Sequence, residues 1–157
     1  MFSFASNHAL TIDEKGRVVL PLALRKCIRE QDREKVLQDG FMVRPSDRNE
    51  FLEMYPKEIY IKRVDELEAR YALDDAAGQA YLRFFQSRSE PVEIDRQYRF
   101  TLPEKSAKAL QLEGEVIFVG RGKTIEIWRK DRWEDWERAN VEFRIPPASA
   151  PAQAQVR

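Results

Sequence analysis

The sequence predicts an α+β fold assembled from two tandem copies of one hairpin–helix–strand unit. Three observations lead there. Asp13-Glu14-Lys15-Gly16-Arg17-Val18-Val19-Leu20-Pro21 returns as Asp95-Arg96-Gln97-Tyr98-Arg99-Phe100-Thr101-Leu102-Pro103, with Asp, Arg and Pro all displaced by 82 residues (95 − 13, 99 − 17, 103 − 21). After each proline the apolar spacing changes from strand-like alternation to helical intervals. Leu52-Glu53-Met54-Tyr55 is then matched by Ile125-Glu126-Ile127-Trp128, now at an offset of 73 (125 − 52), so the first copy carries nine more residues between its hairpin and its last strand. Insertions of that kind belong in loops.

Taken in order, His8 to Pro21 reads as a hairpin: Leu10 and Ile12 approach, Asp13 to Gly16 turn, and Val18, Val19 and Leu20 leave. An Asp opening and a Gly closing suit a type I turn followed by a left-handed residue. Leu22 to about Arg29 reads as a short amphipathic helix behind Pro21, which suits a first helical position. A charged stretch, Glu30 to Asp39, leads through Gly40 to a strand at Phe41-Met42-Val43 and another at Phe51 to Tyr55. Ile59, Ile61, Val64, Leu67 and Tyr71 then recur at helical intervals. Asp74 and Asp75 are good caps for a further helix through Tyr81, Leu82, Phe84 and Phe85, ending before Pro91.

The second copy repeats that order: Val92 and Ile94, the turn, Phe100-Thr101-Leu102, Pro103, and a helix carrying Ala107 and Leu110. Val116 to Val119, Gly120-Arg121-Gly122-Lys123 and Ile125 to Trp128 form a hairpin, followed by a helix from Lys130 to about Val141 with Trp133 and Trp136. Beyond Arg144 the Pro- and Ala-rich tail has nothing to bury and is expected to be disordered. The resulting divisions are 1–55 and 91–142 for the two motifs, 56–90 for a helical connector and 143–157 for the tail.

Composition narrows the function. The 157 residues carry 27 Lys+Arg against 27 Asp+Glu, a formal net charge of zero with a pI near 6.6, so the chain lacks the basic excess that usually marks a nucleic-acid binder. Binding to a polyanion would have to come from local patches or from oligomerisation. No apolar run is long enough to span a bilayer and Met1-Phe2-Ser3-Phe4 has no signal-peptide character, which predicts a cytoplasmic protein. A single cysteine, Cys27, and a single histidine, His8, offer neither an internal disulfide nor a usual zinc set, and no cofactor is expected. Neither a Gly-rich phosphate loop nor a Ser-His-Asp or Cys-His arrangement is present, so the sequence is not read as an enzyme.

The tandem Asp-x-x-x-Arg turns, each followed by an apolar triplet and Pro, together with the Met1-Phe2 start, His8 before the first hairpin, and Ile125-Glu126-Ile127-Trp128 with Trp133, resemble the MraZ family over roughly residues 1 to 142. One such turn carries no information, whereas two in register with matching flanks are specific. The resemblance implies the SpoVT/AbrB-like fold, in which two tandem half-motifs interlock into a pseudo-two-fold swapped-hairpin β-barrel decorated by helices. It implies a sequence-specific DNA-binding regulator that represses the division and cell-wall gene cluster. The partners implied are double-stranded DNA, bound at short direct repeats upstream of the regulator's own operon, and further copies of the chain in a ring. A nucleoid-associated location follows.

Carried onto this chain, the candidate DNA contacts are Lys15 and Arg17 at the first turn, Arg25 and Lys26 on the helix after it, and Arg96 and Arg99 at the second turn as secondary candidates. Arg17 has a donor fork that can grip phosphate or the O6 and N7 of guanine; its plain alternative is a surface ion pair. Lys15 is a point charge suited to phosphate. Asp13, Gly16 and Asp95 are expected to shape the turns. Arg25 and Lys26 are also readable as a solvated helix face, His8 as a hydrogen-bonded strand residue, and Cys27 as an apolar filler. The second turn departs from the family pattern: Tyr98 stands where Gly16 stands in the first, and Ala107 takes the place equivalent to Arg25. A side chain in left-handed backbone costs about 1 to 2 kcal/mol, so either the second turn is remodelled or something outside it compensates. A competing view of the whole chain is an aromatic assembly scaffold, joined through Trp133, Trp136, Phe84, Phe85 and Tyr98, that binds no nucleic acid.

Overall fold

The computed structural model describes residues 3–140 and Glu142. The Met1-Phe2 start, Val141 and the tail expected to be disordered lie outside the described residues. Among the described residues eight strands and six helices follow in the order β1 (Asn7–Thr11), β2 (Arg17–Val19), α1 (Leu22–Arg25), α2 (Glu30–Asp39), β3 (Phe41–Pro45), β4 (Leu52–Pro56), α3 (Lys57–Arg70), α4 (Ala76–Ser87), β5 (Glu90–Val92), β6 (Arg99–Thr101), α5 (Glu104–Leu110), β7 (Glu115–Arg121), β8 (Thr124–Arg129) and α6 (Lys130–Ala139). The fold is α+β, with every strand pair antiparallel.

Six strands form one sheet in the order β1-β7-β8-β4-β3-β5, and β2 pairs with β6 in a separate two-stranded ribbon. Exchanging each strand for its repeat counterpart reverses the sheet order onto itself. The pseudo-two-fold axis can be located from register alone. Glu53 lies opposite Glu126 where β4 meets β8, and Val18 lies opposite Phe100 in the ribbon; each pair consists of repeat equivalents (126 − 53 = 73; 100 − 18 = 82).

The arms of the expected hairpins do not pair with each other. Asp13 N–H donates to the Arg17 carbonyl at 3.2 Å and Gly16 N–H to the Asp13 carbonyl at 3.0 Å, after which the arms part. The first arm crosses to the other half, with Leu10 of β1 opposite Val116 of β7, and in the second half Val92 of β5 lies opposite Phe41 of β3. Each half therefore completes the sheet of the other. Among the described residues the strands do not close into a single barrel, because the ribbon strands are three residues long and pair as strands with each other and not with the six-stranded sheet.

Apolar residues from both halves share one core. Leu20 and Leu24 are fully buried, as are Val116, Phe118, Ile125 and Ile127, each worth about 1.5 to 3 kcal/mol relative to an exposed side chain. Phe100 of the ribbon meets Phe118 of the sheet edge-on at 6.3 Å, which ties the two sheets together.

Two local expectations change. The charged stretch Glu30–Asp39 is a ten-residue helix, α2, although Val36 is its one buried residue. Its polarity hid the helical period; a Lys35–Asp39 ion pair at 2.8 Å supports it and Gly40, at φ 71°, ends it. The helix expected from Leu22 to Arg29 stops at Arg25, with Cys27 and Ile28 in a following turn. Asp75 caps α4 by accepting the Gly78 N–H at 3.0 Å.

Strand β3 brings a charge into the core, where α4 covers it. Arg44 is 1% exposed; it donates to Glu53 at 3.0 Å and Asp47 at 2.8 Å, and its guanidinium lies 4.1 Å from the centre of the Phe85 ring on α4.

Candidate nucleic-acid interface

The two Asp-x-x-x-Arg turns are built alike. In the first, Asp13 Oδ1 accepts the backbone N–H groups of Lys15 (2.9 Å) and Arg17 (2.8 Å), while Oδ2 accepts Arg17 Nε at 2.6 Å. In the second, Asp95 Oδ1 accepts Gln97 N–H and Arg99 N–H, both at 2.9 Å, and Oδ2 accepts Arg99 Nε at 2.8 Å. An Asp closing its own turn in this way accounts for the fixed spacing of Asp and Arg in the sequence. Charge-assisted bonds to the ionised form hold both carboxyls below the usual carboxylate range, with the backbone N–H of Arg17 or Arg99 as the largest cause in each case.

The carboxylate thus serves as a bracket for the guanidinium. Among the described residues, Arg17 makes no hydrogen bond through its terminal Nη groups, and its side chain is 60% exposed. Arg99 is equally open at 61%, with one Nη contact of 3.3 Å to Gln97 Oε1.

Ribbon pairing sets the two arginines on one face. Val18 and Phe100 point inward and are buried, which leaves Arg17, Val19, Arg99 and Thr101 exposed on the outer side. Arg17 opposes Thr101 and Arg99 opposes Val19, so the arginines stand diagonally about the pseudo-dyad, about 7 Å apart at Cα for ordinary strand geometry. Val19 and Thr101 were not singled out in the sequence. Strand alternation was the available signal, since a buried Val18 forces its neighbours outward.

Each turn is further tied to the opposite half. Leu102 N–H donates to the Gly16 carbonyl at 2.9 Å, and Leu20 N–H donates to the Tyr98 carbonyl at 2.8 Å. Tyr98 keeps the left-handed backbone of its glycine counterpart, at φ 61° against 77° for Gly16, so the second turn is not remodelled. Compensation comes from Arg25, whose guanidinium carbon lies 5.4 Å from the Tyr98 ring centre and whose Nε donates to the Leu20 carbonyl at 2.7 Å.

The other candidates fall around this frame. Lys15 is exposed at the tip of the first turn, and Lys26 is exposed just past α1. Arg96 grips Glu34 of α2 with two bonds, 2.7 and 3.4 Å. His8 sits on β1 with Nε2 2.8 Å from Ser6 Oγ, and Cys27 Sγ donates to the Ala23 carbonyl at 3.4 Å. Among the described residues no group of three or more His, Cys, Asp or Glu is placed to hold a metal ion, and no helix is long and apolar enough to cross a membrane.

Comparison with known proteins places this geometry in a family. Residues 86–152 match the family model described as "MraZ protein, putative antitoxin-like". The chain is 32% identical over 136 residues to the transcriptional regulator MraZ of Heliobacterium modesticaldum, covering 87% of this chain and 86% of that protein. This chain belongs to the MraZ family. Further relatives called transcriptional regulator MraZ include that of Clostridium tetani, 27% identical over 143 residues (91% of this chain and 92% of that one). Another is that of Deinococcus radiodurans, 32% identical over 124 residues (79% and 80%). Similarity to these MraZ proteins extends over 79 to 91% of this chain, well beyond the part matched by the family model.

Proposed function

We propose that the chain is a sequence-specific DNA-binding transcriptional regulator, a repressor of the division and cell-wall gene cluster. It binds short direct repeats upstream of its own operon as a ring oligomer, in the cytoplasm and on the nucleoid. The observation that carries this reading is the ribbon face, where Arg17 and Arg99 are held by their own aspartates with guanidinium groups exposed about the pseudo-dyad. The relatives' name supplies the regulatory class. Strand exchange between the halves supports reading residues 1–55 and 91–142 as the interlocked half-motifs of a SpoVT/AbrB-like unit, with 56–90 as an inserted connector.

Charge explains why assembly belongs to the function. One chain is formally neutral, and within each turn an aspartate offsets part of the arginine's charge, so a single ribbon binds a duplex weakly. A ring presents many ribbons along one duplex, and once the first engages, the others bind at high effective concentration. Arg17 reads base edges, Lys15 supplies a phosphate contact, and Arg99, Arg96 and Lys26 support the duplex from the flanks. The deciding experiment is a footprint on DNA just upstream of the chain's own gene, with the natural protein and with Arg17→Ala. Protected tandem repeats lost in Arg17→Ala, with oligomeric mass unchanged, are expected; the same protection by both proteins refutes the assignment.

One observation favours a second reading, the assembly scaffold. Trp133 and Trp136 of α6 stack at 5.1 Å with Trp136 44% exposed, and Trp128 packs against both. Aromatic patches of this sort are enriched in protein interfaces. Native mass measurement with and without duplex DNA separates the readings, since the regulator alone forms a salt-sensitive nucleoprotein complex.

A further inference from the structure

The two positions at which the repeat breaks its own pattern meet in space. Tyr98 replaces the repeat equivalent of Gly16 and Ala107 the equivalent of Arg25, both at the offset of 82 (98 − 16; 107 − 25). On one side of the pseudo-dyad the two large residues, Tyr98 and Arg25, are packed together. On the other side the two small ones, Gly16 and Ala107, line an open groove of about 1830 Å³. The departures are therefore one asymmetry and not two.

Three contacts close a ring around Tyr98. Its backbone carbonyl accepts Leu20 N–H at 2.8 Å, the Leu20 carbonyl accepts Arg25 Nε at 2.7 Å, and the Arg25 guanidinium lies against the Tyr98 ring at 5.4 Å. Gly16 has the matching carbonyl bond, from Leu102 N–H at 2.9 Å, but it has no side chain, and a Cβ built there would find nothing nearer than 3.7 Å. The first turn therefore keeps glycine's freedom, whereas the second is pinned from backbone and side chain together.

Resting on the DNA-binding reading above, we propose that Tyr98 and Arg25 form a lock that holds the second turn rigid, so that the two turns engage a duplex unequally. The second turn is a fixed anchor that presents Arg99, and the first is an adaptable reader that presents Arg17. Arg25 is then a positioning residue that acts through the turn, not a phosphate ligand. A chain with two equivalent turns would present the same face in either orientation about its pseudo-dyad. The lock gives each chain a direction on the duplex.

The test is a double-mutant cycle with Arg25→Gln and Tyr98→Gly, with Tyr98→Phe as the conservative variant. Affinity for upstream DNA is measured at several salt concentrations, and amide hydrogen exchange is measured without DNA. Each single variant is expected to weaken binding about three- to tenfold, the scale of a lost cation–π contact. The double variant should be no worse than either single one, and Tyr98→Phe should match the natural protein. The slope of log affinity against log salt should stay unchanged, and exchange at Leu20 should quicken while the first turn is unaffected. A slope reduced by about one in Arg25→Gln alone marks Arg25 as a phosphate ligand and overturns the proposal, as do additive effects. If the natural protein shows no salt-dependent duplex binding, the functional reading fails, while the exchange data still decide whether the lock exists.

Discussion

Glu53 lies directly opposite Glu126 across the centre of the sheet, each the repeat equivalent of the other. Two carboxylates facing one another in adjacent strands repel, and both are largely buried, so each needs its own cation. They find different ones. Glu53 is met by the buried Arg44 at 3.0 Å and Glu126 by Arg121 at 2.7 Å, with the indole N–H of Trp128 donating to Glu126 at 3.0 Å. Val119 faces Glu126 where Arg44 faces Glu53, so Arg44 belongs to the first half alone.

Removing Arg44 leaves Glu53 beside a like charge with no cation, held by the Tyr55 hydroxyl. Arg44→Met is expected to lower unfolding free energy by about 3 to 5 kcal/mol, as for other broken buried pairs, with the double change Arg44→Met/Glu53→Gln recovering much of it. Arg121→Ala removes a cation that is 65% exposed but leaves the buried Glu126 with the Trp128 indole N–H, so it should cost less, about 1 to 3 kcal/mol. Urea unfolding of the three variants checks this, and equal losses for Arg44→Met and Arg121→Ala would contradict it.

Lys15 and Arg17 should separate into general and specific contacts. Lys15→Gln is expected to weaken binding to operator and to scrambled duplex alike and to lower the salt slope by about one. Arg17→Lys keeps the charge but loses the fork, so it should narrow the gap between operator and scrambled DNA by about 1 to 3 kcal/mol. Anisotropy titrations on both duplexes measure the two effects.

Acid should open the turns, and neutral pH should not. Asp13 and Asp95 are held below their ordinary value of 3.8, first by the backbone N–H of Arg17 and Arg99, and Asp131 is pulled down to about 2, chiefly by the Arg129 side chain. A carboxyl whose folded pKa is depressed contributes stability that is complete above its unfolded value and disappears as pH falls through its folded value. These contributions are therefore constant from pH 5 to 8 and decline below about pH 4, that of Asp131 lasting down to about pH 2. Carboxyl-carbon NMR titration should give midpoints under 3.8 for all three residues; ordinary midpoints would show that the Asp–Arg brackets do not persist in solution.

Gly40 joins α2 to β3 at φ 71° and ψ −157°, backbone that glycine alone adopts readily, and a Cβ there would lie 2.5 Å from the Val92 carbonyl oxygen of β5. Gly40→Ala is expected to cost about 3 kcal/mol or more and to disturb pairing between β3 and β5. A lowered melting temperature with faster amide exchange in β5 is the measurable result, and unchanged exchange would rule out this contact.

The sequence by itself determined what is local. The Asp-to-Arg spacing specified both turns, prolines marked the change from strand to helix, apolar intervals marked α3, α4 and α5, and the shared offsets marked the duplication. Arg17 and Lys15 were legible as a turn-borne pair because turn chemistry lies within five residues. The tertiary structure decided what needed a distant partner. A strand's sequence says which face is apolar but not which neighbour accepts its hydrogen bonds, so the crossing of β1 to β7 and of β5 to β3 was settled by the packing of two halves around one core. For the same reason α2, with little to bury, showed no period, Arg44 could not be recognised as a buried cation, and Tyr98 and Arg25, 73 residues apart (98 − 25), met only once the ribbon had formed.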